Sequence, residues 1–242
     1  PMSAPLDPSL YYLGNFHTAL AWIGERYGDL LGDDELAFLQ AFAELPQPSQ
    51  ALLVRLIMRK GPHFRASKLS YAEIGDIATA AEPLLRLGWL IEDAVLELAE
   101  LFALLRKDEL IARFDELAAL RAAKKSEQLL ALLPLYSEAH PFAHWCPQLD
   151  RLYSLTAGPL CDRLRLLFFG NLAQDWSEFV LAELGIYRYE TVEIGPDARG
   201  FRSRRDVDDY LHLQHCRDLF EAGLPAAEVL DQLGEFSSDN PH

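Results

Sequence analysis

Apolar residues recur at helical spacing along most of the 242-residue chain, in runs cut short by glycine or proline. Such a pattern commits the polypeptide to a succession of short amphipathic helices. Leu13, Phe16, Leu20 and Ile23 mark the first stripe. Gly32-Asp33-Asp34-Glu35 reads as a stop followed by a capped start, and Leu36, Leu39, Phe42 and Leu45 continue the period. Pro46-Gln47-Pro48-Ser49 breaks it again, with Ser49 the expected N-cap of a helix that runs to Lys60 and ends at Gly61-Pro62. Leu52, Leu53, Leu56 and Ile57 form its apolar stripe, while Arg55 and Arg59, four apart, share a flank.

Residues 69–74 and 80–88 read as two further short helices, and 88–96 as a short strand, an acidic turn and a return strand. Three helices followed by a small hairpin is the rhythm of a winged helix, a fold that binds DNA in some proteins and protein in others. Residues 105–120 predict another helix, and one more begins at Lys124-Lys125. The pair LLRKDELIARF and KKSEQLLALL resembles a SAP motif, which implies two short helices touching the DNA backbone. Lys124 and Lys125 then stand where a helix start offers N–H and ammonium groups to phosphate. Residues 134–159, with four prolines, read as a connector. Beyond them, 160–173 and 175–184 read as helices and 187–194 as a strand. Gly195-Pro196-Asp197 turns that strand, 200–203 pairs back to close a β-hairpin, and 206–221 predicts a helix.

Charge is distributed unevenly. Lys and Arg number 22 against 37 Asp and Glu, a net charge of −15, which excludes a protein that coats nucleic acid indiscriminately. Yet residues 51–70 carry Arg55, Arg59, Lys60, Arg65 and Lys68 and no acid, between flanks of seven acids and one base each. This island fits a localised phosphate contact, or equally a helix face whose bases pair with acids elsewhere in the fold. Arg199, Arg202, Arg204 and Arg205 form a second basic cluster, followed at once by Asp206, Asp208 and Asp209, so internal pairing competes with DNA contact there too. Tyr71 is either a core residue or a backbone contact.

Chemistry of other kinds finds no footing. Gly195-Pro196-Asp197 has the PD of metal-dependent PD-(D/E)xK nucleases, whose acids hold a divalent cation while a lysine assists the attacking water. The completing acid-x-Lys is absent: the five lysines are preceded two positions earlier by Met58, Ala66, Leu105, Ala122 and Ala123. His140, His144 and Cys146, and His212, His215 and Cys216, lack the spacing of a metal site, so the expectation is no metal and no catalytic residue in this chain. Neither a phosphate-cradling glycine loop nor a nucleophile elbow occurs. Three widely spaced cysteines without a CxxC pair point to a reducing compartment. No apolar run is long enough to cross a membrane, and the first residues lack a signal-peptide pattern, so a cytoplasmic protein, at the nucleoid when bound to DNA, is expected.

The stretch VRLIMRKGPHFRASKLSYAEIGDI, Val54 to Ile77, carries a wider likeness. With YYLGNFHTALAWIGERY before it and the SAP-like pair after it, it resembles the N-terminal part of the Fanconi-associated nucleases, bacterial members above all. CDRLRLLFFGNLAQDWSEFVLAELGIYRYETVEI and GFRSRRDVDDYL extend the likeness, from about Leu10 to Phe220. The resemblance implies structure-specific DNA nucleases that act on 5′ flaps and interstrand cross-link intermediates. It also implies helical-repeat and virus-type nuclease domains further along, the latter using Mg²⁺ or Mn²⁺. The missing acid-x-Lys agrees with a piece that ends before that nuclease domain.

The resulting expectation is a mainly α chain. Residues 1–100 form a winged-helix-like DNA-binding region, 101–140 a SAP-like helical unit, and 141–242 a connector, apolar helices, a small β-hairpin and the start of a helical-repeat domain. Arg55, Arg59, Lys60, Arg65 and Lys68 are the main expected contact to branched or flapped duplex, Lys124 and Lys125 a second. A non-catalytic acidic scaffold for protein partners is the alternative. Incubating the pure chain with flapped duplex and Mn²⁺ is expected to leave the DNA intact on a denaturing gel; clean cleavage would overturn the reading of the absent motif.

Overall fold

The structure, a computed structural model, describes residues 8–177 and 199–234. These residues divide into two compact units, one built from the segment up to Leu45 together with that from Pro159 onward, the other from Pro46–Gly158.

In the first unit, α1 (Tyr11–Tyr27) buries Tyr12, Leu13, Phe16, Ala19, Leu20 and Ile23, the stripe its spacing predicts. It packs with α2 (Asp33–Glu44) through Phe16 and Phe42, whose rings meet edge to face at 5.3 Å. Trp176 closes on Phe16 at 5.2 Å, and α9 (Gly158–Phe169) adds Leu164, Leu166 and Leu167. The last two helices of the described residues are α10 (Arg204–Glu221) and α11 (Ala226–Leu233). Ser203 caps α10, accepting from the Asp206 N–H, while the Asp206 carboxylate takes the N–H of Ser203.

Glu35 ties this unit together. As the third residue of α2 its carboxylate accepts from the Gly32 N–H at 2.7 Å, and it also takes Arg163 of α9 and Arg204 of α10, each at 2.6 Å, with no exposure to solvent. Burial opposes its ionisation, but the donors from Arg204, Arg163 and Gly32 prevail and its pKa is lowered.

The second unit has α3 (Gln47–Ile57), buried on nearly every side from Ser49 to Val54, packed on α4 (Ile77–Arg86). A three-stranded antiparallel sheet runs β1-β5-β2, with β1 (His63–Arg65) and β2 (Leu90–Ile91) flanking β5 (Leu152–Leu155). Its register pairs Phe64 with Tyr153 and Leu90 with Leu155. A second ladder joins β3 (Val95–Leu96) to β4 (His140–Pro141). Beside it α5 (Leu98–Leu104), α6 (Lys107–Arg113), α7 (Lys125–Leu132) and α8 (Phe142–Trp145) enclose a core of Leu101, Phe102, Leu110, Phe114, Phe142 and Trp145.

Several expectations change. The strands within 88–96 do not pair with each other: β2 goes to β5 and β3 to β4. Two-residue strands are too short to hold a hairpin alone and complete themselves on distant partners. Residues 134–159 are not a connector, because they supply β4, α8 and the central strand β5. Their prolines stand where a missing N–H is tolerated, Pro141 in the two-stranded ladder and Pro159 in the first turn of α9. Residues 105–120 break at Phe114 into α6 and a 3-10 turn, Asp115–Leu120, and 69–74 form turns instead of a helix. Helix α3 starts at Gln47, so Ser49 is a buried first-turn residue, not the cap. The 187–194 strand, its turn and most of 175–184 lie outside the described residues; 200–203 is irregular.

Replacing Glu35 with Ala would take the one fully buried anion from between Arg163 and Arg204, leaving them only the exposed carboxylates of Asp34 and Asp208, and losing one side of a buried ion pair costs about 3–5 kcal/mol. A large drop in the urea midpoint is expected, against almost none for Glu228→Ala on the exposed face of α11.

Candidate nucleic-acid interface

The basic island begins on the last turn of α3. Leu52, Leu53, Val54 and Leu56 anchor that helix in the core, which forces Arg55 to its flank. After Ile57 the chain leaves through Met58, Arg59 and Lys60, and Gly61 adopts φ +78°, a left-handed conformation that suits glycine and turns the backbone into β1. Arg59, Lys60 and Lys68 are exposed. Lys60 and Lys68 have no hydrogen-bond or ion-pair partner among the described residues. Arg59 lies over the Phe64 ring at 5.5 Å and donates from Nη1 to the Tyr71 hydroxyl at 3.3 Å. Tyr71 is therefore half-buried at the edge, with its hydroxyl among the cations.

Two members of the expected set are held by carboxylates. Arg55 donates from Nε and Nη2 to Glu73 at 3.0 and 2.5 Å, and its guanidinium lies 5.1 Å from the Tyr71 ring centroid. Arg65, with 6% of its side chain exposed, is a structural residue. It makes a two-pronged bond to Glu109 at 2.8 and 3.0 Å and another to Asp150 at 3.0 Å. The hydrogen bond from Arg65 holds the Glu109 carboxyl at about 2, far below the ordinary 4.5. Asp150 also accepts from the Ser67 N–H at 3.1 Å, which fixes the 3-10 turn Ala66–Lys68 that presents Lys68.

The SAP-like pair divides as well. Lys124 is exposed, and its N–H is capped by Glu127 at 2.7 Å. Lys125 instead reaches back to the carbonyl of Leu105 at the end of α5, at 2.6 Å, and so closes a helix C-terminus. Arg121, three residues before Lys124, is exposed without a partner among the described residues; it belongs to the same RAAKK run and escaped the sequence reading. In the first unit Nη1 of Arg199 donates to both carboxylate oxygens of Asp29, at 2.7 and 2.8 Å. Arg204 is bound to Glu35 and Asp208, and Arg205 stands 3.8 Å from Asp209. Only Arg202 of that cluster is exposed with its side chain unpartnered among the described residues. Internal pairing thus claims most of the second cluster and part of the first.

Two family models match the chain: "FAN1, HTH domain" over residues 10–91 and "Fanconi anemia-associated nuclease SAP domain" over 95–145. Between them they take in α1 to β2 and β3 to α8, including every basic residue of the 51–70 island and Lys124 and Lys125. The chain belongs to the Fanconi-associated nuclease family. A Fanconi-associated nuclease 1 homolog of Pseudomonas aeruginosa is 55% identical over the whole chain, which covers 44% of that relative. The homolog of Oryza sativa subsp. japonica is 31% identical over 94% of this chain and 24% of its own length. A crystal structure of paFAN1 bound to 5′-flap DNA with a gap, its flap two nucleotides long, superposes with TM-score 0.90 at 55% identity over 98% of this chain and 44% of that one. A second, with a one-nucleotide flap, gives TM-score 0.87. The chain therefore spans less than half the length of the relatives it matches, and corresponds to their N-terminal region.

The Glu109–Arg65 pair sets a pH dependence. Its folded carboxyl titrates near 2 against 4.5 ordinarily, so its contribution, up to about 3 kcal/mol, is complete above pH 4.5 and lost as pH falls toward 2. Wild type is expected to lose urea resistance as pH falls from about 4.5 toward 2, and Glu109→Gln, weaker at pH 7, should converge on it at low pH.

Proposed function

We propose that this chain is the DNA-binding portion of a structure-specific repair nuclease, gripping duplex backbone beside a nick or flap. The observation that carries the reading is the agreement of nearly the whole chain, at TM-score 0.90, with a relative described as bound to 5′-flap DNA. The exposed cations at the end of α3 supply the chemistry: Arg59 offers a guanidinium fork to phosphate oxygens, Lys60 and Lys68 add point charges, and Lys124 a second contact. Phosphate contacts fix register and carry no base information, so selectivity falls to the shape of the junction. The molecule as a whole is acidic, net −15, and repels duplex except where these cations dock.

Cleavage of 5′ flaps and cross-link intermediates, with Mg²⁺ or Mn²⁺, is assigned to a nuclease domain of the parent protein, joined through a helical-repeat domain. Among the described residues no three His, Cys, Asp or Glu side chains gather into a group that could hold a metal ion. A cytoplasmic setting, at the nucleoid when DNA is bound, is in keeping with Cys146, Cys161 and Cys216, all free and buried. The scaffold alternative draws on the pairing of Arg55 and Arg65 with carboxylates, and a gel shift separates the two.

Wild type should shift flapped duplex at micromolar protein and about 0.1 M salt. The triple variant Arg59→Glu, Lys60→Glu, Lys68→Glu should bind at least about tenfold more weakly, or about 1.4 kcal/mol. No shift by wild type, or an unchanged triple variant, would favour the scaffold.

A further inference from the structure

We infer that Glu73 is a positioning residue of this interface: it holds Arg55 as the support beneath Tyr71 and Arg59, so that Arg55 orders the contact instead of meeting phosphate with its own charge. The inference rests on the DNA-binding reading above and changes what the most prominent arginine of the island does.

The geometry forms one continuous series. Oε1 of Glu73 accepts both Nε and Nη2 of Arg55, which fixes the plane of the guanidinium. That plane lies against the Tyr71 ring, Cζ 5.1 Å from its centroid. The Tyr71 hydroxyl accepts from Arg59, and Arg59 in turn covers Phe64. Glu73 and Tyr71 come from one turn that is itself rigid. The N–H groups of Ile74 and Gly75 both donate to the Tyr71 carbonyl at 3.1 Å, Gly75 takes φ +78°, and Leu69 and Ile74 are buried on either side. The turn therefore delivers an acid and an aromatic ring to Arg55 of α3 and Arg59 just beyond it as a preformed pair.

Burial decides which partner Arg55 keeps. The Glu73 side chain is 9% exposed and that of Arg55 27%. Were Arg55 to leave for a phosphate, a nearly buried carboxylate would lose its two-pronged guanidinium partner beside a polyanion, a costly arrangement for such a pair. Arg55 stays with Glu73, the pair is neutral, and the charge that reaches DNA is that of Arg59 with Lys60 and Lys68.

The salt dependence of binding separates the roles, because log K falls against log salt by about 0.9 for each duplex phosphate neutralised. The measurement is fluorescence anisotropy on flapped duplex over a salt series, for wild type, E73Q, R59Q and the double variant R55Q/E73Q, which keeps a neutral hydrogen-bonded pair. R59Q should lower the slope by about 0.9. E73Q, which unmasks the charge of Arg55, should raise it by about as much. R55Q/E73Q should keep the wild-type slope while binding about threefold more weakly, since Tyr71 and Arg59 lose their support. A slope lowered by about 0.9 in R55Q/E73Q would make Arg55 a direct phosphate contact, and an unchanged slope in E73Q would deny its masking; either result overturns the inference while leaving DNA binding intact. Wild type that fails to bind flapped duplex overturns both together.

Discussion

Arg65 is the pivot of the second unit. It leaves β1 with its guanidinium almost fully buried and is met from two directions, by Glu109 on α6 and by Asp150 just ahead of β5. An arginine so enclosed is stable only while both carboxylates stay ionised, and the carboxylates are ionised because the arginine is there. The triad therefore fixes three segments at once: the strand that follows the basic turn, the first helix of the SAP-like part, and the central strand of the small sheet. It joins residues matched by the helix-turn-helix family model to residues matched by the SAP model. Through the Ser67–Asp150 hydrogen bond it also reaches the turn that carries Lys68.

Glu109 and Glu35 solve the same problem in different units. Each is the third residue of a helix and accepts the N–H of the residue just before that helix, Arg106 at 2.8 Å and Gly32 at 2.7 Å. Each then uses its remaining acceptor capacity on arginines far away in sequence. A capping glutamate is ordinarily exposed and modest in effect; here the cap orients the carboxylate so that it can also serve as a buried anchor. A helix start thereby becomes a tertiary crosslink.

This use of arginine shapes the candidate interface. In a chain so rich in acid, a base is available to a phosphate only where geometry keeps it away from carboxylates. Arg59 and Lys60 escape because they lie on the turn after α3, in a stretch of sequence without acids, and because Gly61 swings the chain away immediately afterwards. Lys124 escapes at a helix start, whereas Lys125, one residue on, folds back onto the Leu105 carbonyl. Neighbouring lysines thus have opposite tasks.

Local features were legible in the sequence. The stripe of α1, the helix carrying Arg55, the break before Gly61-Pro62 and the acid-free island all follow from side-chain spacing and backbone preference within a few residues, and so does the resemblance carried by VRLIMRKG and SKLSYAEI. The spacing predicts a helix as far as Lys60, but it ends at Ile57, leaving Arg59 on the turn. What stayed hidden depends on partners 18 to 129 residues away: Glu73 for Arg55, Glu109 and Asp150 for Arg65, Glu35 and Asp34 for Arg163. The same holds for β5, whose four residues sit among prolines and become a strand only because β1 and β2 come to flank them. Sequence determined which charges exist and which helices bear them, since those are set by short-range forces. Tertiary structure alone decided which charges face solvent, because a buried guanidinium is governed by whichever carboxylate the completed fold carries to it.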